Sequence, residues 1–265
     1  MSVDSESLQL LEDGLRKTMT TASGQRLDAA LAELGWLEML DEMPDAAVPL
    51  VFRLLGETGA HAPVLNDVVL RAAGRDGGGT VPLPYAGGSW IVWDRTDQPG
   101  TALGDDLPIH RVAQGDSVPI AAGRHALGWW LVGAGRAMLA LARQHALDRT
   151  QFGRPVASFQ AIRHRLAETL VAIEGAEGTL VAAAAEPDEL SFLLAKAAAG
   201  QAALTASRHC QQVLGGIGFT AEHELHRHIK RVLVLDAMLG SSRELTREAG
   251  AALRAKGFAP RLAQL

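Results

Sequence analysis

The chain has 265 residues, of which 48% are hydrophobic and 21% charged, a composition typical of a globular protein. Its formal net charge of -5 gives no general attraction for nucleic acid. The longest apolar run, residues 126–132, is too short to cross a bilayer, and no basic segment followed by an apolar core marks a secretory signal. We therefore expect a cytoplasmic location, no nucleic acid partner and no membrane insertion.

The N-terminal region, residues 1–73, has the apolar spacing of helices. Leu8, Leu11, Leu15 and Met19 recur at three- and four-residue intervals. Helix-forming residues then continue up to Gly35, which is a typical stop signal. Three further short helices are predicted in this region, over residues 27–34, 48–55 and 64–73.

Residues 74–118 form a different, Gly- and Pro-rich segment in which long helices are excluded. Short β-prone runs lie between the turn signals, at residues 81–83, 90–93 and 107–112. We predict a reduced, irregular β segment here, because the segment is too short for a complete sheet domain.

Residues 119–265 return to a helical pattern with longer elements. Helices are predicted over 120–147, from Ser158 as N-cap to about residue 185, over 190–214 and over 222–239. A last helix starts at Ser241 or Ser242 and runs to about Lys256. Because short loops join these helices, we expect an antiparallel bundle. The predicted fold class is therefore mainly α, with N-terminal helices, a truncated β segment and a C-terminal helical bundle.

The loop at residues 149–153 carries side chains that suit a nucleotide. The Arg149 guanidinium can donate two parallel hydrogen bonds to a pyrophosphate, and Phe152 can lie against a flat ring. Spacing alone favours a simpler interpretation, an interhelix turn with a salt bridge and a packed aromatic ring.

The segment 211–219 offers a second corner of the same kind. Gly215 and Gly216 lack side chains, so their amides can approach a ligand closely, and Gln212 can both donate and accept hydrogen bonds. A helix C-cap followed by a turn explains the glycines equally well. A Rossmann loop is excluded because no strand precedes the segment.

Metal binding has little support in the sequence. A lone cysteine, Cys210, excludes an internal disulfide and a cysteine-rich metal site, and it fits a small buried residue. His223, His226 and His228 lie close enough along the chain to share a helix face. Three cations lie among or just after them, which favours a polar face near a subunit contact: Arg227, Lys230 and Arg231.

Several of these motifs occur together in the order found in one family. Residues 119–256 resemble the C-terminal helical domain of acyl-CoA dehydrogenases. The resemblance rests on Arg149-x-x-Phe152-Gly153, on Ala195-Lys196 in a helix, and on Gln212-x-x-Gly-Gly-x-Gly-Phe219. It implies a flavoprotein that removes hydrogen from the α and β carbons of an acyl-CoA.

The resemblance also implies a role for individual residues. Contacts to the adenosine-diphosphate part of FAD, reaching across a dimer interface to the neighbouring subunit's flavin, would come from Arg149, Gln151, Phe152, Gln212, Gly215 and Gly216. Phe159, Gln160 and Ile162 would lie nearby, and Ser241 is a further candidate flavin contact. Arg124 matches an arginine that supports the acyl-CoA site in relatives.

The catalytic glutamate of the family is missing from the matching position. Removal of the α-proton needs a positioned carboxylate, whereas this chain has Leu239 there. Some relatives carry the base on the first helix of this domain, but the matching residue here is Gly123. Asp236, one turn before Leu239, is a candidate substitute, although a solvated or salt-bridged helix residue is the simpler interpretation.

The short middle segment and the missing base together resemble the degenerate subunit of bacterial heterotetrameric acyl-CoA dehydrogenases. That resemblance implies a base-bearing homologous partner in an α2β2 complex, an acyl-CoA substrate with a fatty or steroid side chain, and an acceptor like electron-transfer flavoprotein. Two alternatives stay open at this point. The chain could be a flavin-free structural or assembly subunit, or a self-sufficient homodimeric dehydrogenase with Asp236 as base.

Overall fold

A computed structural model describes residues 5–96 and 107–258. The N-terminal helices are α1 (Ser5–Thr21), α2 (Gln25–Glu33), α3 (Trp36–Glu42), α4 (Pro44–Thr58) and α5 (Leu65–Ala72). A small antiparallel sheet follows, with β1 (Leu83–Tyr85), β2 (Ser89–Trp93) and β3 (Ile109–Val112). The C-terminal elements are α6 (Ala121–Asp148), the hairpin β4 (Thr150–Gln151) and β5 (Arg154–Pro155), then α7 (Gln160–Ala185), α8 (Glu189–Leu214), α9 (Leu225–Ala237) and α10 (Ser242–Lys256).

The mainly helical fold predicted from the sequence is confirmed, but several boundaries differ. Helix α3 was not predicted, because the prediction ended at Gly35, whose left-handed backbone joins two helices. Ser158 is not an N-cap: it ends a 3-10 turn, and α7 starts two residues later. Helix α9 is shorter than predicted at both ends, since residues 222–224 form a turn and Met238 is extended.

Helices α6 to α9 pack as an up-down-up-down bundle. Gly128 of α6 lies against Leu180, and Gly135 lies against Ile173, so α7 runs back along α6. The Ser207 hydroxyl of α8 meets Met138 at 3.6 Å, and α9 closes the bundle. Among the described residues, no helix has the length and apolar surface needed to cross a membrane.

The sheet packs against the bundle through stacked indoles. Trp93 of β2 stacks on Trp130 of α6 with ring centroids 5.4 Å apart. Both rings are fully buried, and Trp129 is 6% exposed, so these indoles belong to the core. One hydrophobic cluster runs from α1 through the sheet to α9, so the predicted middle segment shares its core with the helices on either side.

Helices α4 and α6 cross in direct backbone contact. A Cβ on Gly133 would lie 2.1 Å from the Arg53 carbonyl oxygen, and one on Gly56 would lie 2.3 Å from the Trp130 carbonyl oxygen. Neither neighbour is a flexible side chain that could turn away. Helix α4 can approach α6 this closely because both crossing points are glycine.

We expect Gly133→Ala to lower the free energy of unfolding by about 1–3 kcal/mol or more, because the added methyl group overpacks a backbone contact. Gly14→Ala is the matched control, since a Cβ there meets nothing within 4 Å. That control should be neutral or stabilising by up to about 1 kcal/mol. Urea denaturation of both variants checks the pair, and equal stabilities would contradict the close crossing.

Candidate functional site

The first corner predicted to bind a nucleotide is an exposed hairpin at the C-terminal end of α6. Phe152 sits at its tip with a left-handed backbone (φ 53°) and 91% of its surface exposed. Its ring meets Phe159 edge-on at 6.2 Å, and Arg154 lies 4.2 Å above the Phe159 ring. Arg149, Gln151 and Gln160 are exposed and Ile162 is half-buried, so this group of predicted residues lies together.

The second corner follows α8. Gly215 has a left-handed φ of 65° and ends the helix, and a 3-10 turn continues to Phe219. A Cβ on Gly215 or Gly216 would meet nothing within 4 Å, so this backbone is open from outside. Gln212 is also exposed, and Phe219 is 66% exposed.

An open groove of about 360 Å³ beside Arg149 reaches the turn that follows the second corner. His145 of α6 and His223 face each other across it, with ring centroids 6.4 Å apart. Burial, and then the neighbouring His223 and Arg149, lower the pKa of His145. Both corners therefore belong to the same end of the bundle.

The corner between α9 and α10 lies at the other end of α6. Leu239 has a left-handed backbone (φ 56°), and its side chain is fully buried. A Cβ on Gly123 would lie 2.8 Å from Leu239 Cδ1 and 2.9 Å from Val69. The two positions where the resemblance implies a base thus meet at one point, and aliphatic side chains fill it.

Charged side chains bind the backbone of this corner. Lys196 of α8 is fully buried and donates hydrogen bonds to the Asp236 and Gly240 carbonyl oxygens. Asp236 is 8% exposed and its Oδ1 accepts from the Ser242 amide at 3.1 Å. The Ser241 hydroxyl caps α10 by accepting from the Glu244 amide, so each of these groups has a structural partner.

Arg124 completes the corner. It is 5% exposed; its Nε donates to the Leu239 carbonyl oxygen at 3.1 Å, and its Nη2 lies 3.5 Å from Glu248. Nη1 has no hydrogen-bond partner among the described residues. Burial lowers the pKa of this guanidinium.

The length of α6 keeps the two ends apart. Arg124 and Arg149 are separated by 25 residues of one helix, or about 37 Å at 1.5 Å per residue. Nine of the ten predicted flavin contacts lie on the two corners at the Arg149 end, whereas Ser241 lies at the Arg124 end. The structure therefore does not bring the ten together.

Two further groups were considered as metal ligands from the sequence, Cys210 and the histidines at positions 223, 226 and 228. Cys210 is buried, as expected, and burial raises the pKa of its thiol to about 12. No group of three or more potential ligands in residues 5–96 and 107–258 could hold a metal ion. His228 is half-buried beside Gly59, whereas His223 precedes α9.

A family model for the acyl-CoA dehydrogenase C-terminal domain matches residues 117–253, about half of the chain. The chain belongs to the acyl-CoA dehydrogenase family. Acyl-CoA dehydrogenase IpdE2 of Mycobacterium tuberculosis is 38% identical over 116 residues, 44% of this chain and 36% of that protein. The matched segments span about a third of the lengths of the first curated relatives.

Solved structures share the fold along nearly the whole chain. A steroid ACAD variant, Tcur3481–Tcur3483, has a TM-score of 0.73 at 20% identity, covering 95% of this chain and 98% of that one. The ChsE4–ChsE5 complex from Mycobacterium tuberculosis has a TM-score of 0.72 at 19% identity, covering 98% and 100%. The predicted acyl-CoA dehydrogenase fold is confirmed.

The sequence did not reveal Lys196 and His145 as parts of these sites. Lys196 was noted only as part of a helix motif, although a lysine flanked by alanines on an apolar helix is a signal of a buried charge. Its partners are backbone carbonyls, which no side-chain pattern can indicate. His145 faces His223 only because the bundle brings separate helices together.

Lys196 gives the chain a pH-dependent stability. Burial lowers its pKa from 10.5 to about 7, so between these values the unfolded chain binds more protons than the folded one. The free energy of unfolding should therefore rise from pH 7 to 9, by up to about 1.4 kcal/mol per pH unit. Above pH 9 the Cys210 thiol acts in the opposite sense, because its pKa is raised.

Urea denaturation at pH 7, 8 and 9 measures this slope. We expect Lys196→Met to flatten it, whereas Lys256→Met, on the exposed end of α10, keeps it. The same slope in both variants would show that another group carries the pH dependence.

Proposed function

We propose that this chain is the base-lacking subunit of a flavin-dependent acyl-CoA dehydrogenase complex. It lends its two corners at the Arg149 end of α6 to an FAD that a base-bearing homologous subunit mainly holds. The complex would carry out α,β-dehydrogenation of an acyl-CoA. One observation carries the proposal: the same chain has two open corners suited to a nucleotide and a base position filled by aliphatic side chains.

The chemistry of the corners fits the adenosine-diphosphate part of FAD. Arg149 is exposed and offers a guanidinium for a pyrophosphate, Phe152 offers an open ring face, and the Gly215–Gly216 backbone is unobstructed. Arg149 lies about 37 Å along α6 from Arg124, which binds the Leu239 carbonyl oxygen, so we assign the corners to the flavin of another subunit. Bound FAD supplies the acceptor for the β-hydrogen as hydride.

The lack of a proton acceptor at positions 239 and 123 supports a partner subunit that supplies the base. Leu239 cannot accept an α-proton, and Gly123 offers no side chain. Val69 and Leu65 also line this point, with Leu65 Cδ1 3.7 Å from a Cβ on Gly123, so an acyl chain has no room there. The proton acceptor would therefore come from the partner's chain.

Asp236 is a poor candidate for the base in a self-sufficient homodimer. Its carboxylate already binds the Ser242 amide, and a Cβ on Gly200 would lie 2.1 Å from Oδ1. The group points into the junction of α8, α9 and α10, away from Leu239's filled pocket. Arg124, whose Nη1 has no partner among the described residues, is the remaining candidate for an acyl-CoA contact.

The printed names of two structural neighbours support one kind of substrate and one kind of partner. One structural neighbour is a steroid ACAD and another is a two-component complex. By that analogy we propose a steroid or fatty acyl-CoA, an α2β2 assembly, and an electron-transfer flavoprotein-like acceptor. The competing function is a flavin-free assembly subunit, in which the corners serve only as turns.

Arg149→Ala should weaken flavin retention by the complex about tenfold or more, because a hydrogen bond from a charged group contributes about 1.5–3 kcal/mol. The complex is purified with its partner, and the visible flavin absorbance per mole of complex is measured after gel filtration. Arg243→Ala, on exposed α10, is the control and should retain flavin. A colourless unmodified complex would support the assembly subunit instead.

Leu239→Ala should lower the free energy of unfolding of this chain by about 2–5 kcal/mol, because it opens a cavity in fully buried packing. Turnover of the complex should persist below the melting range, since no proton passes through this residue. Leu233→Ala, whose side chain is 56% exposed on α9, is the control and should cost far less. Loss of turnover with an intact fold would place chemistry at Leu239.

A further inference from the structure

A small cavity lies between the end of α4 and the first turns of α9. Its volume is about 80 Å³, and it shares no lining residue with the groove beside Arg149. Its lining residues are Thr58, Gly59, Glu224, Arg227, His228 and Arg231. A water molecule occupies about 30 Å³ in the liquid, so the cavity has room for a group of a few heavy atoms and not for a whole nucleotide.

Two arginines of α9 give the cavity groups that can only donate hydrogen bonds. Arg231 is 5% exposed, and its Nη1 donates to the carbonyl oxygens of Gly59 and Ala60, which fixes the guanidinium beside the end of α4. Arg227 lies four residues earlier on the same helix face and is exposed. It takes part in none of the ion pairs among the described residues. A planar guanidinium matches the oxygens of an oxyanion, so this lining favours an anion.

His228 adds a group that can gain a proton. Its ring is half-buried beside Gly59, where a Cβ would lie 3.2 Å from the ring Cε1. Burial, and then Arg231 and Arg227, lower the pKa of His228 to about 4, so the ring is neutral near pH 7. An anion in the cavity would offset the two positive charges and raise this pKa again.

Glu224 is the acidic residue of the lining, and it opposes an anion. It is exposed, and no ion pair among the described residues joins it to Arg227 or Arg231. With His228 neutral, two arginines and one glutamate leave the lining with a formal charge of +1, and protonation of His228 raises it to +2. The cavity is therefore positive at every pH at which the arginines stay charged.

We propose that this cavity binds a small tetrahedral oxyanion, a phosphate or sulfate group, between Arg227 and Arg231, and that His228 takes up a proton when the anion binds. The anion joins the end of α4 to the first turns of α9, so it connects the N-terminal helices to the bundle. The site goes beyond the proposed function and does not depend on flavin, because it shares no residue with the corners that carry Arg149 and Gly215.

Thermal melting of the full chain in sodium sulfate, compared with sodium chloride at the same ionic strength, tests binding. A ligand that binds the folded chain stabilises it, so we expect a rise in Tm that saturates with sulfate concentration. Sulfate also stabilises proteins generally by exclusion from their surface, and a variant without the site keeps only that effect. Arg227→Gln should weaken binding about tenfold or more, because a hydrogen bond from a charged group is lost.

Arg243→Gln, which removes an exposed arginine of α10, is the matched control and should bind sulfate as the unmodified chain does. Glu224→Gln should act in the opposite direction and tighten binding, because the opposing carboxylate is removed. The same sulfate response in Arg227→Gln as in the unmodified chain would overturn the proposal. Flavin retention by the complex should be unchanged in Arg227→Gln, so the flavin proposal can fail while this one holds.

Proton uptake by His228 has its own test. Sulfate keeps its charge between pH 6 and pH 8, so any change in its affinity comes from the protein. We expect binding about threefold or more tighter at pH 6 than at pH 8, and no such difference in His228→Gln. The same pH dependence in both proteins would contradict a role for His228.

The source of the oxyanion is distinguished by comparing inorganic phosphate with glycerol 3-phosphate at pH 8. Weaker binding of the ester assigns the cavity to a free ion, whereas equal binding assigns it to a phosphate group carried by a larger molecule. Binding of neither phosphate nor sulfate would overturn the site.

Discussion

Buried charged groups, rather than packing alone, hold the corner between α9 and α10. The end of α9 leaves carbonyl oxygens without helical donors, and Lys196 satisfies two carbonyls of this corner, those of Asp236 and Gly240. Arg124 binds the next carbonyl, that of Leu239. The small sheet joins the same corner, because the Leu239 amide donates to the Pro84 carbonyl oxygen of β1 at 2.8 Å. Removal of any of these groups would leave a buried polar atom unpaired.

The bundle presents distinct surfaces because its helices are long. The filled corner lies at one end of α6, and the two open corners lie at the other end. The closed and the open parts of this surface are therefore separated by the length of one helix.

The long helices could be predicted from the sequence, since their apolar periodicity and glycine stops are local signals. The Ser241 cap of α10 was also predictable, because Glu244 stands three residues later. Helix α3 was missed because a glycine can join two helices as readily as it ends one. The start of α7 was misplaced because Ser158 fits a cap by residue type, while the chain there forms a 3-10 turn.

The candidate site, like the fold, could be predicted only in part. The corner motifs were visible because they are contiguous in sequence. The meeting of Leu239 with Gly123 depends on the left-handed backbone of one residue and on a contact between α6 and the α9–α10 turn. The separation of Ser241 from the other candidate flavin contacts follows only once the helices are placed. The chemistry of each short motif was therefore predictable. The sequence could not predict which of these motifs lie together in one site.

The distance spanned by α6 also bears on how substitutions at its two ends combine. The effects of substitutions on stability usually add when the sites lie more than about 10 Å apart and share no partner. The two ends of α6 are about 37 Å apart, so a change at the Leu239 corner and a change at the Arg149 corner act on the free energy of unfolding independently.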